Sequence, residues 1–225
     1  MRVTPAMRFF YRWTVVGILL STVPIAWGQT SSFKDLPSND PAFEAVEYLK
    51  GKGVISGFPD GTFRAKDPVT RAQAVKIIVG SLVAADQLKQ FSSTPFTDVP
   101  AGDWSVPYIE AARRVQIIDS PPKTSAFNGG RKVTKSEFLK IMLLARRTDM
   151  KPLEDIKLPL ADDVTSADEW YYPYIKAGIF HSMDMVGSDG KLHPAKELSR
   201  GEVSLMLYRY LMYKDGRRTQ ALLVH

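Results

Sequence analysis

Thr70-Arg71-Ala72-Gln73 opens an apolar stretch, and the same four-residue opening returns as Thr134-Lys135-Ser136-Glu137 and as Ser199-Arg200-Gly201-Glu202. Working outward, Phe63, Phe127 and Leu192 stand seven residues before each opening. Further upstream lie Phe33-Lys34-Asp35-Leu36, Phe96-Thr97-Asp98-Val99 and Ala161-Asp162-Asp163-Val164. Pro41, Trp104 and Trp170 follow these, and twelve residues later come Gly53, Gln116 and Ser182. Asp35 to Asp98 is 63 residues and Asp98 to Asp163 is 65; from Thr70 the steps are 64 and 65. Anchors that recur at fixed internal spacings define one unit written three times.

Each unit reads as helix, loop, helix. Phe43, Val46 and Leu49 form one apolar stripe ended by Gly53, and Val106, Ile109 and Ala112 occupy the same places in the second copy. The second helix has the fuller pattern: Val75, Ile78, Val79 and Leu82; Phe138, Ile141, Met142 and Ala145; Val203, Met206, Leu207 and Tyr210. Gly57-Phe58-Pro59-Asp60-Gly61 marks a tight turn between the helices, kept in copy three as Gly187-Ser188-Asp189-Gly190. A pair this small cannot bury both stripes alone, so the copies are expected to pack on one another. The fold class is all-α. Linkers fall at 84–95 and 146–159, and a loose tail runs over 213–225.

The first 28 residues read as a secretory signal. They carry Arg2, Arg8 and Arg12 and no acid, then an apolar run from Trp13 to Trp27, with Ala26 and Gly28 framing a cut before Gln29. That run is short of the roughly 20 residues that span a bilayer, so no transmembrane segment is expected after cleavage; the alternative is an uncleaved N-terminal anchor. The protein is expected to leave the cytoplasm. The net charge of +6 includes three arginines from the signal, and the remaining surplus is too scattered to suggest nucleic acid. With no cysteine and only His181, His193 and His225, a disulfide scaffold, a thiolate metal site and a Ser-His-Asp hydrolase are poorly supported. Neither cofactor nor catalytic activity is expected.

Thr or Ser followed three residues later by Gln or Glu is a capping box, which accounts for Thr70, Gln73, Glu137 and Glu202 as structure. It leaves the second position unexplained. Arg71, Lys135 and Arg200 place a cation at the positive end of a helix, where acids are preferred. Two readings remain open: a salt bridge to the preceding loop, as to Asp67, or an anion site made of the cation and free helix amides. Trp104 and Trp170 are either hinge residues of the core or apolar faces for a sugar ring.

The pattern Phe-x-Asp-Val, Trp, Gly-x-x-Asp-Gly-x-Phe, Thr-Arg-Ala-Glu resembles the S-layer homology repeat, and three in tandem resemble the complete anchoring module of that family. On that resemblance the chain divides into a signal (1–28), three repeats (29–90, 91–155 and 156–212) and the tail. Copy two departs most, with Lys135 and no glycine turn, and copy three has Gly201 inside its capping box. The resemblance implies a pseudo-threefold helical module at the cell envelope. Its grooves would hold secondary cell-wall polysaccharide or a peptidoglycan-linked polymer, often through a ketal-linked pyruvate. Carried across, Arg71, Lys135 and Arg200 would meet the carboxylate, Gln73, Glu137 and Glu202 would shape the groove, and Trp104 and Trp170 would face the sugar. The Lys135 groove, with a point charge in place of a fork, is expected to be the weakest. The alternative is an envelope assembly protein that binds other envelope proteins and no glycan.

Overall fold

The computed structural model describes residues 31–119, 123–153, 163–164, 169–184 and 186–216. The expected signal segment lies outside them. Helices account for the regular structure: α1 (Phe43–Gly51), α2 (Arg71–Gly80), the short α3 (Ala85–Leu88), α4 (Val106–Arg114), α5 (Lys135–Ala145), α6 (Tyr172–Phe180) and α7 (Arg200–Lys214), with a single 3-10 turn at Lys151–Leu153. The all-α expectation holds. Two details differ from it. The first expected linker contains α3, and α7 runs to Lys214, past the start of the expected tail. Among the described residues, no helix is long and apolar enough to cross a membrane.

The three copies begin and end their first helices alike. Gly53, Gln116 and Ser182 all take positive φ, at 68°, 60° and 57°. Each sits just past its helix and lets the chain fold back, so that Val54, Ile117 and Met183 donate to Leu49, Ala112 and Gly178 carbonyls at 2.8 to 3.1 Å. These bonds satisfy carbonyls left open at the helix C-terminus. The aspartates at the head of each copy reach across it. Asp35 accepts the Phe63 and Arg64 amides, Asp98 those of Phe127 and Asn128, and Asp163 those of Leu192 and His193, all between 2.6 and 2.8 Å. The second residue of each pair is in the left-handed region, at φ 59°, 57° and 49°. One carboxylate therefore fixes one strained loop, three times over.

The apolar stripes face a shared core. Val75, Ile78 and Val79 of α2, Phe138, Ile141 and Met142 of α5, and Val203, Leu207 and Tyr210 of α7 are buried. Leu82 is not: α2 stops at Gly80, and this side chain is exposed. The first helix of each copy packs on the second helix of the copy before it, α4 on α2 and α6 on α5, and the ring closes with α1 on α7. Short extended segments ahead of the second helices seal that ring. Val69 N–H donates to Leu198 O, Leu198 N–H to Val133 O, and Val133 N–H to Val69 O, at 2.9 to 3.0 Å. The result is a closed threefold figure of backbone hydrogen bonds at the centre of the molecule.

Candidate functional site

The capping boxes form as expected at all three second helices, with Thr70, Thr134 and Ser199 accepting the amides of Gln73, Glu137 and Glu202. The expectation of free amides at these ends does not hold. Arg71 and Ala72 donate to the carbonyls of Arg131 and Gly129 in copy two; Lys135 and Ser136 donate to Lys196 and Pro194 in copy three. Arg200 and Gly201 complete the cycle on Asp67 and Ala65 of copy one. Every first-turn amide is thus taken by a neighbouring loop or by the cap, and an anion would have to be met by side chains. The same close approach explains the glycine of copy three: a Cβ on Gly201 would lie 3.1 Å from Ala65 O and 3.3 Å from Ala42 Cβ.

With the amides in use, the junctions between copies differ in their side chains. The first is a groove of about 280 Å³ lined by Arg200, the loop from Val54 to Phe58, Phe63, Gln73, Lys76 and Trp104. Arg200 lies on the rings of Phe58 and Phe63 at 4.9 and 4.6 Å. It donates from Nε to Phe63 O at 2.8 Å and from Nη2 to Ser56 O at 3.0 Å. These carbonyls hold the guanidinium in place without cancelling its charge, and no acid lines this groove. Burial pushes the Arg200 pKa down, partly offset by Asp67.

The second groove, of about 460 Å³, repeats the arrangement one copy on, with Arg71, the loop residues Ile117, Ile118, Asp119, Phe127 and Asn128, then Glu137, Lys140 and Trp170. Arg71 sits 5.0 Å from the Phe127 ring and makes no side-chain hydrogen bond among the described residues. Burial lowers its pKa and Glu137 opposes that shift. Acids are present here. Burial acts to raise the Glu137 carboxyl, but the bidentate pair with Arg131 and the Thr134 amide bring it below the usual range. Asp119 lies 3.8 Å from Lys123 and 3.6 Å from Lys140.

The third junction corrects the expectation for Lys135. Its side chain is only 10% exposed, and Nζ donates to Asp184 Oδ1 at 2.9 Å and to Leu192 O at 2.7 Å. Asp184 stands in copy three where the other two copies carry apolar side chains. A buried pair needs both charges met, and here they meet each other. Glu202, the capping acid of this junction, is bonded to Lys196 at 2.5 Å. The Lys135 ammonium is thus bonded within the protein and not directed into an open groove.

Trp104 and Trp170 are half-exposed, at 50% and 51%, at the mouths of the first and second grooves. Each carries a lysine over its ring, Lys76 at 5.5 Å and Lys140 at 5.6 Å. Sequence reading missed these lysines. The signal was present, because both stand six residues after their caps, at Thr70 and Thr134.

The architecture defines a closed ring of three helical copies with two open, cationic, aromatic-edged grooves. The profile of the S-layer homology domain matches residues 32–75 and 95–139. Both stretches therefore carry the S-layer homology domain pattern. The third copy lies outside the matched stretches but shows the same aspartate clamp, capping box and helix pairing. The chain is 28% identical over 175 residues to S-layer protein EA1 of Bacillus anthracis, covering 77% of this chain and 19% of that protein. It is 40% identical over 83 residues to outer membrane protein SlpA of Thermus thermophilus, covering 36% and 9%. It is also 26% identical over 168 residues to a cellulosome-anchoring protein of Acetivibrio thermocellus, covering 73% and 36%. The chain thus spans well under half the length of these relatives.

Proposed function

We propose that this chain is a non-catalytic anchoring protein that holds an acidic cell-wall polysaccharide in the Arg200 and Arg71 grooves. The observation that carries this reading is the pair of half-buried guanidiniums with no carboxylate salt-bridged to either among the described residues, each in a groove that ends on an exposed tryptophan. A guanidinium lined by aromatic rings and not salt-bridged is matched by a carboxylate or phosphate on a sugar, whose apolar face suits the indole. Each such contact would contribute about 1.5–3 kcal/mol. Two grooves on one rigid ring would then combine by avidity on a repeating polymer. The names of the S-layer and cellulosome-anchoring relatives agree with this reading.

A second reading has one observation in its favour. An apolar cleft of about 640 Å³, bordered by the exposed side chains of Leu82 and Val115, lies at the C-terminal ends of α2, α4 and α5. Such a surface suits protein assembly. The test is sedimentation of the purified chain with envelope sacculi, intact or stripped of polymer, using wild type, Arg71→Ala, Arg200→Ala and the double variant. Binding is expected to be lost on stripping and in the double variant. Equal sedimentation of all four proteins with both preparations would overturn the polysaccharide reading in favour of assembly.

A further inference from the structure

Lys76 and Lys140 are not required by a ligand with a single acidic group, yet they occur together with everything else that makes a groove open. In the first groove Arg200, Trp104 and Lys76 line one cavity, and in the second Arg71, Trp170 and Lys140 do the same. Each lysine stands three residues after its capping residue, Gln73 or Glu137, and so shares the face of the helix that borders the groove. At the third junction the arginine position is the buried Lys135, the tryptophan position is Pro41, and the lysine position is Leu205. All three features are lost together. A lysine placed only for solubility would have no reason to follow the state of the groove.

The partners of the two lysines point the same way. Lys76 contacts the Trp104 and Tyr108 rings at 5.5 and 5.9 Å and has no hydrogen-bond or ion-pair partner among the described residues. Among the described residues Lys140 pairs with Asp119 alone, at 3.6 Å, an acid shared with Lys123. Arg200 is fixed by two carbonyls on Nε and Nη2, so its remaining donors converge on one acidic group and cannot swing to a second. We infer that the ligand unit held in each open groove carries two separate acidic groups, one taken by the arginine and the other by Lys76 or Lys140 over the tryptophan. This rests on the polysaccharide reading above and extends it: a singly acidic sugar would leave Lys76 unmatched. The second group is a carboxylate or a phosphate, since an ammonium accepts either.

The test is sedimentation of the full chain with intact envelope sacculi from low to high salt, comparing wild type, Lys76→Met and Lys76→Arg. Sacculi whose carboxylates have been amidated form a second arm. Circular dichroism confirms that the variants are folded. Lys76→Met is expected to bind about tenfold more weakly at low salt and to lose part of the salt dependence, as removal of one charge-assisted contact implies. Lys76→Arg is expected to bind like wild type. A gap between wild type and Lys76→Met that persists on amidated sacculi assigns the second group as phosphate, and one that closes there assigns it as carboxylate. Equal affinity and equal salt dependence of wild type and Lys76→Met would overturn the second acidic group while leaving the polysaccharide reading in place. Failure of wild type itself to sediment would remove both.

Discussion

The Arg200 groove and the Lys135 junction occupy equivalent places in a threefold figure and treat the same cation in opposite ways. At Arg200 the neighbouring copy supplies two carbonyl oxygens and two phenyl rings, which orient the guanidinium but leave a net positive charge facing the groove. At Lys135 the neighbouring copy supplies a carboxylate, Asp184, and the charge is settled inside the protein. Dipolar partners position a charge, whereas an ionic partner cancels it. The Arg71 groove stands between the two, with an arginine unpaired by any acid but with Glu137 and Asp119 on its walls. The ring therefore grades from a cationic groove, through a partly compensated one, to a closed ionic lock.

The largest expected effect lies at the lock. Lys135→Ala removes the ammonium bonded to the buried Asp184 carboxylate and should cost up to about 3–5 kcal/mol in urea unfolding, with most of that recovered in a Lys135→Met/Asp184→Leu double variant. A cost under about 1 kcal/mol would be that of an exposed pair and would break the comparison. Next comes the groove itself. Arg200→Met should reduce sacculus binding about tenfold or more, and Arg71→Met by less, because acids already offset Arg71. The reverse ranking would refute the gradient.

Acid should separate the regions more gently. Burial, reinforced by nearby Lys214, lowers the His181 pKa, and neither ring nitrogen has a hydrogen-bond partner among the described residues. A depressed folded-state pKa means stability that is present above the unfolded value, about 6.5, and is lost as pH falls through the folded one. His181 sits in the turn that carries Asp184, so mild acid should loosen the lock first. The Asp35 and Asp163 carboxyls act later. Burial tends to raise both, but the amides they accept hold them below the usual range. Their contribution is present above the unfolded value, near 4, and is lost as pH falls below it. Thermal melts against pH should show a first loss that His181→Phe removes and a second that Asp35→Asn reduces. The smallest effect is expected from Gln73→Glu, which gives the Arg200 groove the wall acid that the Arg71 groove already has. Binding should weaken a few-fold, about 1 kcal/mol or less, with stability unchanged. A stronger loss would mean that the cap contacts the ligand directly.

Much of this architecture was legible because its devices are local. A capping box needs only a hydroxyl and an amide or acid three residues apart, and the helix stops at Gly53, Gln116 and Ser182 lie at one fixed distance from Pro41 and the tryptophans. Recurrence placed Gln116 and Ser182 level with Gly53, and all three take positive φ, which neither Gln nor Ser would suggest alone. What stayed hidden depends on contacts between copies. Nothing near Lys135 in the chain announces Asp184, 49 residues on. The expected free amides were wrong for the same reason, since the carbonyls that satisfy them belong to the next copy. The cation in the first helical turn has different surroundings in its three copies, which no single copy of the motif displays.

The closed triangle of Val69, Val133 and Leu198 also bears on how the chain comes to be folded. In an open solenoid each repeat can settle on the one before it as the polypeptide lengthens. Here the first helix of the first copy rests on the last helix of the third, so the contact of greatest sequence separation is part of the core. Loop closure over that distance is slow and comes late. Until Leu198 is available, the Val69 amide and the inner face of α1 lack their partners, and the early copies remain an unfinished surface. Closure of the ring is therefore expected to wait until the third copy is available, so that deleting the third copy should unfold the first two rather than leave them standing.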